Sequence, residues 1–145
     1  MKTLLFITFT LLLNVIYAQN DSIIDCAIEA NKKGMVYLKN FQTKLNPANN
    51  SKMGEKWPLV LHKGTKYRFY LCEINNDKPE QVVLRLFDDT HPESEPYATT
   101  TKKGHFYFEC NKTGTYFVSI RYKDKSYQNE VSAVAVLLFV GKKND

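Results

Sequence analysis

Between Gly104 and Asp124 the chain reads GHFYFECNKTGTYFVSIRYKD, two runs in which apolar side chains recur at every second position. Phe106, Phe108 and Cys110 share one face of the first run, and Tyr116, Val118, Ile120 and Tyr122 share one face of the second. Period two is the signature of strands, whose side chains alternate between faces. The short polar link Asn111-Lys112-Thr113-Gly114 predicts that the two runs pair as an antiparallel hairpin.

The same alternation recurs through the chain. Residues 35–45 predict a first strand, with Tyr37, Phe41 and Leu45 set against Lys39 and Lys44. A polar stretch at 46–55, with Pro47 and Gly54, predicts an exposed loop. Trp57, Leu59 and Leu61 lead through Lys63-Gly64-Thr65-Lys66 into 67–72, a second predicted hairpin, in which Pro58 marks the start or edge of its strand. Residues 81–88 give a further strand whose one face is interrupted by Arg85, and 97–101 a short one. The closing VSAVAVLLFV of 131–140 has no polar face, which predicts a strand buried on both sides. Together these make a mainly β chain: an antiparallel β-sandwich, jelly-roll-like, of about eight strands.

Only one segment shows helical spacing. Ile23, Ile24, Ala27, Ile28 and Ala30 form an apolar stripe, Ser22 and Asp25 fit a capped start, and Lys32-Lys33-Gly34 a stop. So short a helix must pack on the sheet to persist. Ahead of it, Lys2, the apolar run from Leu4 to Ile16 and the small Ala18 predict a signal peptide at 1–18, leaving 19–145 as one domain. The protein is thus expected to be exported, to periplasm, cell surface or medium, with no integral membrane segment after cleavage.

Charge and chemistry add less. A formal charge of +5, with lysines spread over most loops, argues against nucleic acid as a partner. Three cysteines in an exported chain invite one disulfide, and Cys72 with Cys110, each ending an aromatic run, are the preferred pair, with Cys26 as rival partner or free thiol. The acidic stretch Asp88 to Pro96, with Asp88, Asp89 and Glu93, is the best place for a metal, and Ca²⁺ suits its oxygen ligands, although it lacks the spacing of a calcium loop. No other cofactor is implied. His62, His91 and His105 are isolated, with no HExxH, GxSxG or glycine-rich phosphate motif, so catalysis is not expected. The alternative is a small secreted hydrolase or thiol enzyme using Cys26 or a histidine. Aromatic residues exceed what one core layer needs. Tyr70, Tyr107 and Phe117, on the faces opposite the core, are therefore the candidate platform for a protein or glycan ligand.

The segments KGTKYRFYLCE, LFDD and FECNKTGTYFVSIRYKD, before an apolar last strand, resemble secreted proteins of Bacteroidetes that carry no assigned activity. The order of G-T-x-Y, L-x-L-F-D and G-T-Y-F strands is similar to the pre-peptidase C-terminal type of β-sandwich, and G-T-Y-F-V-S-I looks like part of the sorting domains of the type IX secretion system. These resemblances imply an exported, non-catalytic accessory module.

Overall fold

The structure, a computed structural model, describes residues 21–49, 54–74, 76 and 78–142. The segment read as a signal peptide lies outside them. A helix, α1, occupies residues 21–30. Eight strands follow: β1 (Val36–Leu45), β2 (Gly54–Leu61), β3 (Thr65–Ile74), β4 (Val82–Phe87), β5 (Ala98–Thr99), β6 (His105–Glu109), β7 (Gly114–Tyr122) and β8 (Val131–Lys142). They form two four-stranded antiparallel sheets, β1-β8-β3-β6 and β2-β7-β4-β5. The expected sandwich of about eight strands with one short helix is therefore what the chain forms.

The connections differ from the expectation. The runs 106–110 and 116–122 are not a hairpin: β6 pairs with β3 in the first sheet, whereas β7 pairs with β2 and β4 in the second. The run 57–61 likewise joins β7 and not its sequence neighbour 67–72. Both short turns lie exposed at the rim of the sandwich and step the chain from one sheet to the other. The physical reason is that alternation fixes which face of a strand is apolar, while two apolar faces can be satisfied side by side or face to face. Here they meet face to face, and Phe108 of β6 lies edge-on to Tyr116 of β7 with ring centroids 5.5 Å apart. Among sequential strands only β4 and β5 are neighbours in one sheet.

The core between the sheets is built from the inward residues Phe41, Leu45, Leu61, Phe69, Leu84, Leu86, Val118, Ile120, Val131, Ala133 and Ala135. A second layer lies on the outer face of the first sheet, where Val134, Val136 and Leu138 of β8 meet Cys26 and Ala30 of α1. The apolar last strand is thus buried on both faces, as its composition predicts. The helix stripe is narrower than read: Cys26 and Ala30 are buried, with Ile23 and Ala27 packed beside them, but Ile24 and Ile28 are 53% and 68% exposed. Positions 23, 26, 27 and 30 follow the i, i+3, i+4, i+7 rule, and residues 24 and 28 sit to one side of that face. Helical geometry is already present at residue 21, so Ser22 lies within the helix and not ahead of it. The stop signal holds, with Gly34 at φ +86° and Met35 N–H donating to Lys32 O at 3.0 Å.

The preferred disulfide is corrected. Cys26 of α1 is bonded to Cys72 of β3, their Cα atoms 6.0 Å apart, and Cys110 is a buried free thiol. Cys72 lies two residues inside the C-terminal end of β3 and Cys110 directly follows that of β6, and because β3 and β6 are antiparallel neighbours those ends lie at opposite limits of the sheet. Cys110 N–H donates to Thr65 O at the far end of β3. Cys72 is part of the outer layer, whereas Cys110 belongs to the inner core. A bond between α1 and β3 closes a loop across 46 positions and fastens a helix too short to hold by itself. Non-reducing peptide mapping is expected to recover Cys26 and Cys72 in one linked species with Cys110 alkylated only after unfolding. Cys72→Ser should lower stability by about 2–4 kcal/mol in urea titrations. A linked species containing Cys110, or no loss in Cys72→Ser, would contradict this arrangement.

Candidate binding site

Helix α1 covers the outer face of the first sheet over β8 and the middle of β3 and stops there. Tyr70 of β3 sits at the boundary: it packs with the helix layer, and its hydroxyl donates to Glu29 Oε1 at 2.7 Å. Burial first, and then the neighbouring Glu29 carboxylate, push the Tyr70 phenol up to about 12. It therefore stays a neutral donor at physiological pH.

Beyond Tyr70, toward β6, the face is aromatic and cationic. Arg68 pairs across the strands with Tyr107, and Tyr70 with His105. The Arg68 guanidinium carbon lies 5.2 Å from the Tyr70 ring centroid and 5.6 Å from that of Tyr107, and Lys66 Nζ lies 5.3 Å from the Tyr107 centroid. His105 stacks on Tyr70 at 6.0 Å and meets Tyr107 edge-on at 5.9 Å. Attraction of a cation to an aromatic face contributes about 0.5–2 kcal/mol, more as water is excluded. Tyr107 is nevertheless 45% exposed, while Arg68 is 2% exposed and its Nε and Nη1 lack a hydrogen-bond partner. A buried guanidinium with unmade hydrogen bonds is costly, and Arg85 Nε on the second sheet is in the same state. A groove of about 370 Å³ opens on the other side of Tyr70, lined in part by Glu80, Lys102, Lys103 and Lys123, with Glu80 held at φ +68°.

The three platform residues are not brought together. Tyr70 and Tyr107 share the outer face of the first sheet, but Phe117 is on β7 of the second sheet. There it stacks on Phe87 at 5.7 Å under Lys56. The face actually formed replaces Phe117 with Arg68, Lys66 and His105. None of these was singled out for binding in the sequence, although Lys66 and Arg68 alternating with aromatic residues in KYRFY were the available signal.

The acidic loop is occupied by its own contacts. Asp88 Oδ1 accepts from the N–H groups of Thr90 and His91, both at 2.8 Å, and from the Thr90 hydroxyl at 2.7 Å, and Oδ2 accepts from the Tyr97 hydroxyl at 2.9 Å. Glu93 Oε1 accepts from Ser119 at 2.8 Å and pairs with Arg121 Nε at 3.1 Å. Arg85 Nη1 reaches the Glu93 carbonyl at 3.4 Å. Asp88 and Glu93 thus face different partners, Asp89 is exposed, and among the described residues no group of three or more His, Cys, Asp or Glu is placed to hold a metal ion. Cys26, the thiol of the enzymatic alternative, is consumed in the disulfide. Cys110 is enclosed, its Sγ donating to Lys112 O at 3.1 Å. Tyr116 also donates to Lys112 O, at 2.8 Å, and its phenol is raised by burial and by Cys110.

Desolvation alone would raise the Asp88 carboxyl. The hydrogen bonds from Thr90, His91 and Tyr97 outweigh it and hold the group at about 2, below the unfolded value near 4. A depressed folded value means that stabilisation is complete above the unfolded range and is lost as pH falls from about 4 to about 2. Asp88→Asn should therefore lose less Tm than the parent chain between about pH 5 and about pH 2, the remaining fall coming from other carboxylates such as Asp124, whose carboxyl is also held low. An acid-induced fall in Tm as steep as the parent's would show that Asp88 is not responsible.

Among the described residues no helix is long and apolar enough to cross a membrane. No protein-family model and no curated protein matches this chain. Among solved structures, the fold is similar to the crystal structure of Aeromonas hydrophila PliG, a periplasmic lysozyme inhibitor of g-type lysozyme. The TM-score is 0.56 at 9% identity, over 75% of this chain and 90% of that one. The likeness is one of fold: an antiparallel β-sandwich shared with a periplasmic protein.

Proposed function

We propose that this chain is a non-catalytic, exported module of periplasm or cell surface that binds a protein ligand through the outer face of its first sheet, around Tyr107. One observation carries the reading: an exposed tyrosine framed by Lys66, Arg68 and His105, with a buried guanidinium short of hydrogen-bond acceptors behind it. Tyrosine and arginine are the side chains that most often anchor protein interfaces. The intramolecular disulfide suits an oxidising compartment, which supports export. That a neighbour in fold is described as a lysozyme inhibitor makes an extracytoplasmic hydrolase a reasonable first ligand to assay.

The test is binding of the purified protein to g-type lysozyme and to a panel of exported hydrolases by calorimetry, with soluble peptidoglycan fragments and a glycan array in parallel. The expected result is a saturable complex with a protein, weakened about 30-fold by Tyr107→Ala, as for an interface anchor of about 2 kcal/mol. Phe117→Ala, on the other sheet, should leave it unchanged. Binding of glycans alone, or a protein complex indifferent to Tyr107→Ala, would refute the reading.

A further inference from the structure

The Tyr107 face ends in an edge whose backbone polarity follows from the ladder. Cys110 N–H donates to Thr65 O at 2.9 Å, Gly64 N–H donates to Cys110 O at 2.8 Å, and Leu71 N–H donates to Gly104 O at 2.8 Å. Between these limits the register pairs Phe108 with Tyr67 and Phe106 with Phe69. Antiparallel strands exchange hydrogen bonds at alternate residues. The main-chain groups of Gly104, Phe106, Phe108 and Cys110 therefore point at β3, and those of His105 and Tyr107 point the other way. β6 is the last strand of the sheet order, so this other side is where the sheet stops.

Cations gather near that edge, against the one acid of β6, Glu109. The exposed Lys102 and Lys103 lead into β6, and Lys66 and Arg68 lie immediately behind Tyr107. Glu109, at the far end, is paired with Lys66 at 3.6 Å. A strand laid against β6 would place alternate side chains beside Tyr107 on the outer face, within reach of these cations. Carboxylates at those positions would lie over the Tyr107 ring and near Lys66, in the positive field to which Arg68, buried beneath that ring, contributes.

We propose that the β6 edge takes up an extended acidic segment of a partner protein, which adds to the first sheet through the N–H and C=O groups of His105 and Tyr107. This rests on the reading of the face as protein-binding and specifies how the partner is held. Main-chain bonds would supply affinity, and the cations beside Tyr107 would select acidic over basic segments.

The probe is a fluorescein-labelled peptide of about eight residues alternating Glu and Thr, titrated with the purified protein by anisotropy at low salt, against a peptide alternating Lys and Thr. The acidic peptide is expected to bind at least about tenfold more tightly. Methylating the backbone nitrogens of alternate Glu/Thr peptide residues should weaken binding about tenfold in one phase and little in the other, since only one phase faces β6. In the protein, Tyr107→Pro removes, besides the ring, an outward N–H that the β3 ladder does not use, and should weaken binding about tenfold more than Tyr107→Ala does while retaining the β circular dichroism of the parent. The N-methyl series stands even if that variant does not fold. Absent binding, equal binding of the two charges, or equal effects of the two methylation phases overturns the added strand. A protein ligand weakened by Tyr107→Ala, together with any of those outcomes, removes the strand alone. A ligand indifferent to Tyr107→Ala removes the reading beneath it.

Discussion

The structure depends on β8, a central strand that needs an apolar cover on each side. Its inward residues Val131, Ala133 and Ala135 are covered by the second sheet, but Val134, Val136 and Leu138 point outward and are also buried. Left in water, each such side chain would forgo about 1.5–3 kcal/mol of burial. The cover is α1, which has too few residues to be stable without tertiary packing. The Cys26–Cys72 bond and the Tyr70–Glu29 hydrogen bond tie that helix to β3, the neighbour of β8. Because the helix stops at Tyr70, the outer face of β6 stays uncovered. The candidate binding face is thus a consequence of how β8 is buried.

This dependence explains which parts of the fold were legible in the sequence. Strand positions follow from period-two alternation, and the two-sided burial of β8 follows from its having no polar face. Both are local properties. Pairing is not local: Phe106 and Phe108 alternate as they would in a hairpin with β7, yet they face β7 across the core and bond to β3 along the edge. Nothing in the turn at Asn111–Gly114 separates the two outcomes, because a short link can close a hairpin or step between stacked sheets. The disulfide was misread for the same reason. Cys72 and Cys110 both follow aromatic runs, but their separation depends on the direction in which β3 and β6 lie together.

The candidate binding face was partly legible. Tyr70 and Tyr107 stand on the non-core side of their runs, and they do occupy one outer face. Phe117 has the same parity and lies on the other sheet, since parity distinguishes inside from outside but not one outside from the other. Arg68 escaped notice because a polar residue at an outward position normally reads as solvated surface. Its burial comes from the rings of Tyr70 and Tyr107 closing over it, an arrangement set by cross-strand register.

The two outer faces treat their arginines differently, and the contrast bears on function. On the second sheet the acidic loop folds back so that Glu93 pairs with Arg121 and Ser119, and its carbonyl meets Arg85. The chain there supplies its own carboxylate, and the loop that looked free to bind a cation is engaged in neutralising one. On the first sheet Glu29 is engaged with Tyr70 and Glu109 with Lys66, while Arg68 keeps two donor nitrogens without partners. A buried guanidinium left short of acceptors opposes folding, and the aromatic faces beside it offset part of that cost. An acidic ligand would supply on the first sheet what Glu93 supplies on the second. The faces thus differ in whether the chain brings a carboxylate to an arginine: Glu93 meets Arg121 on the second sheet, whereas Arg68, like Arg85 Nε, is left with unpartnered nitrogen.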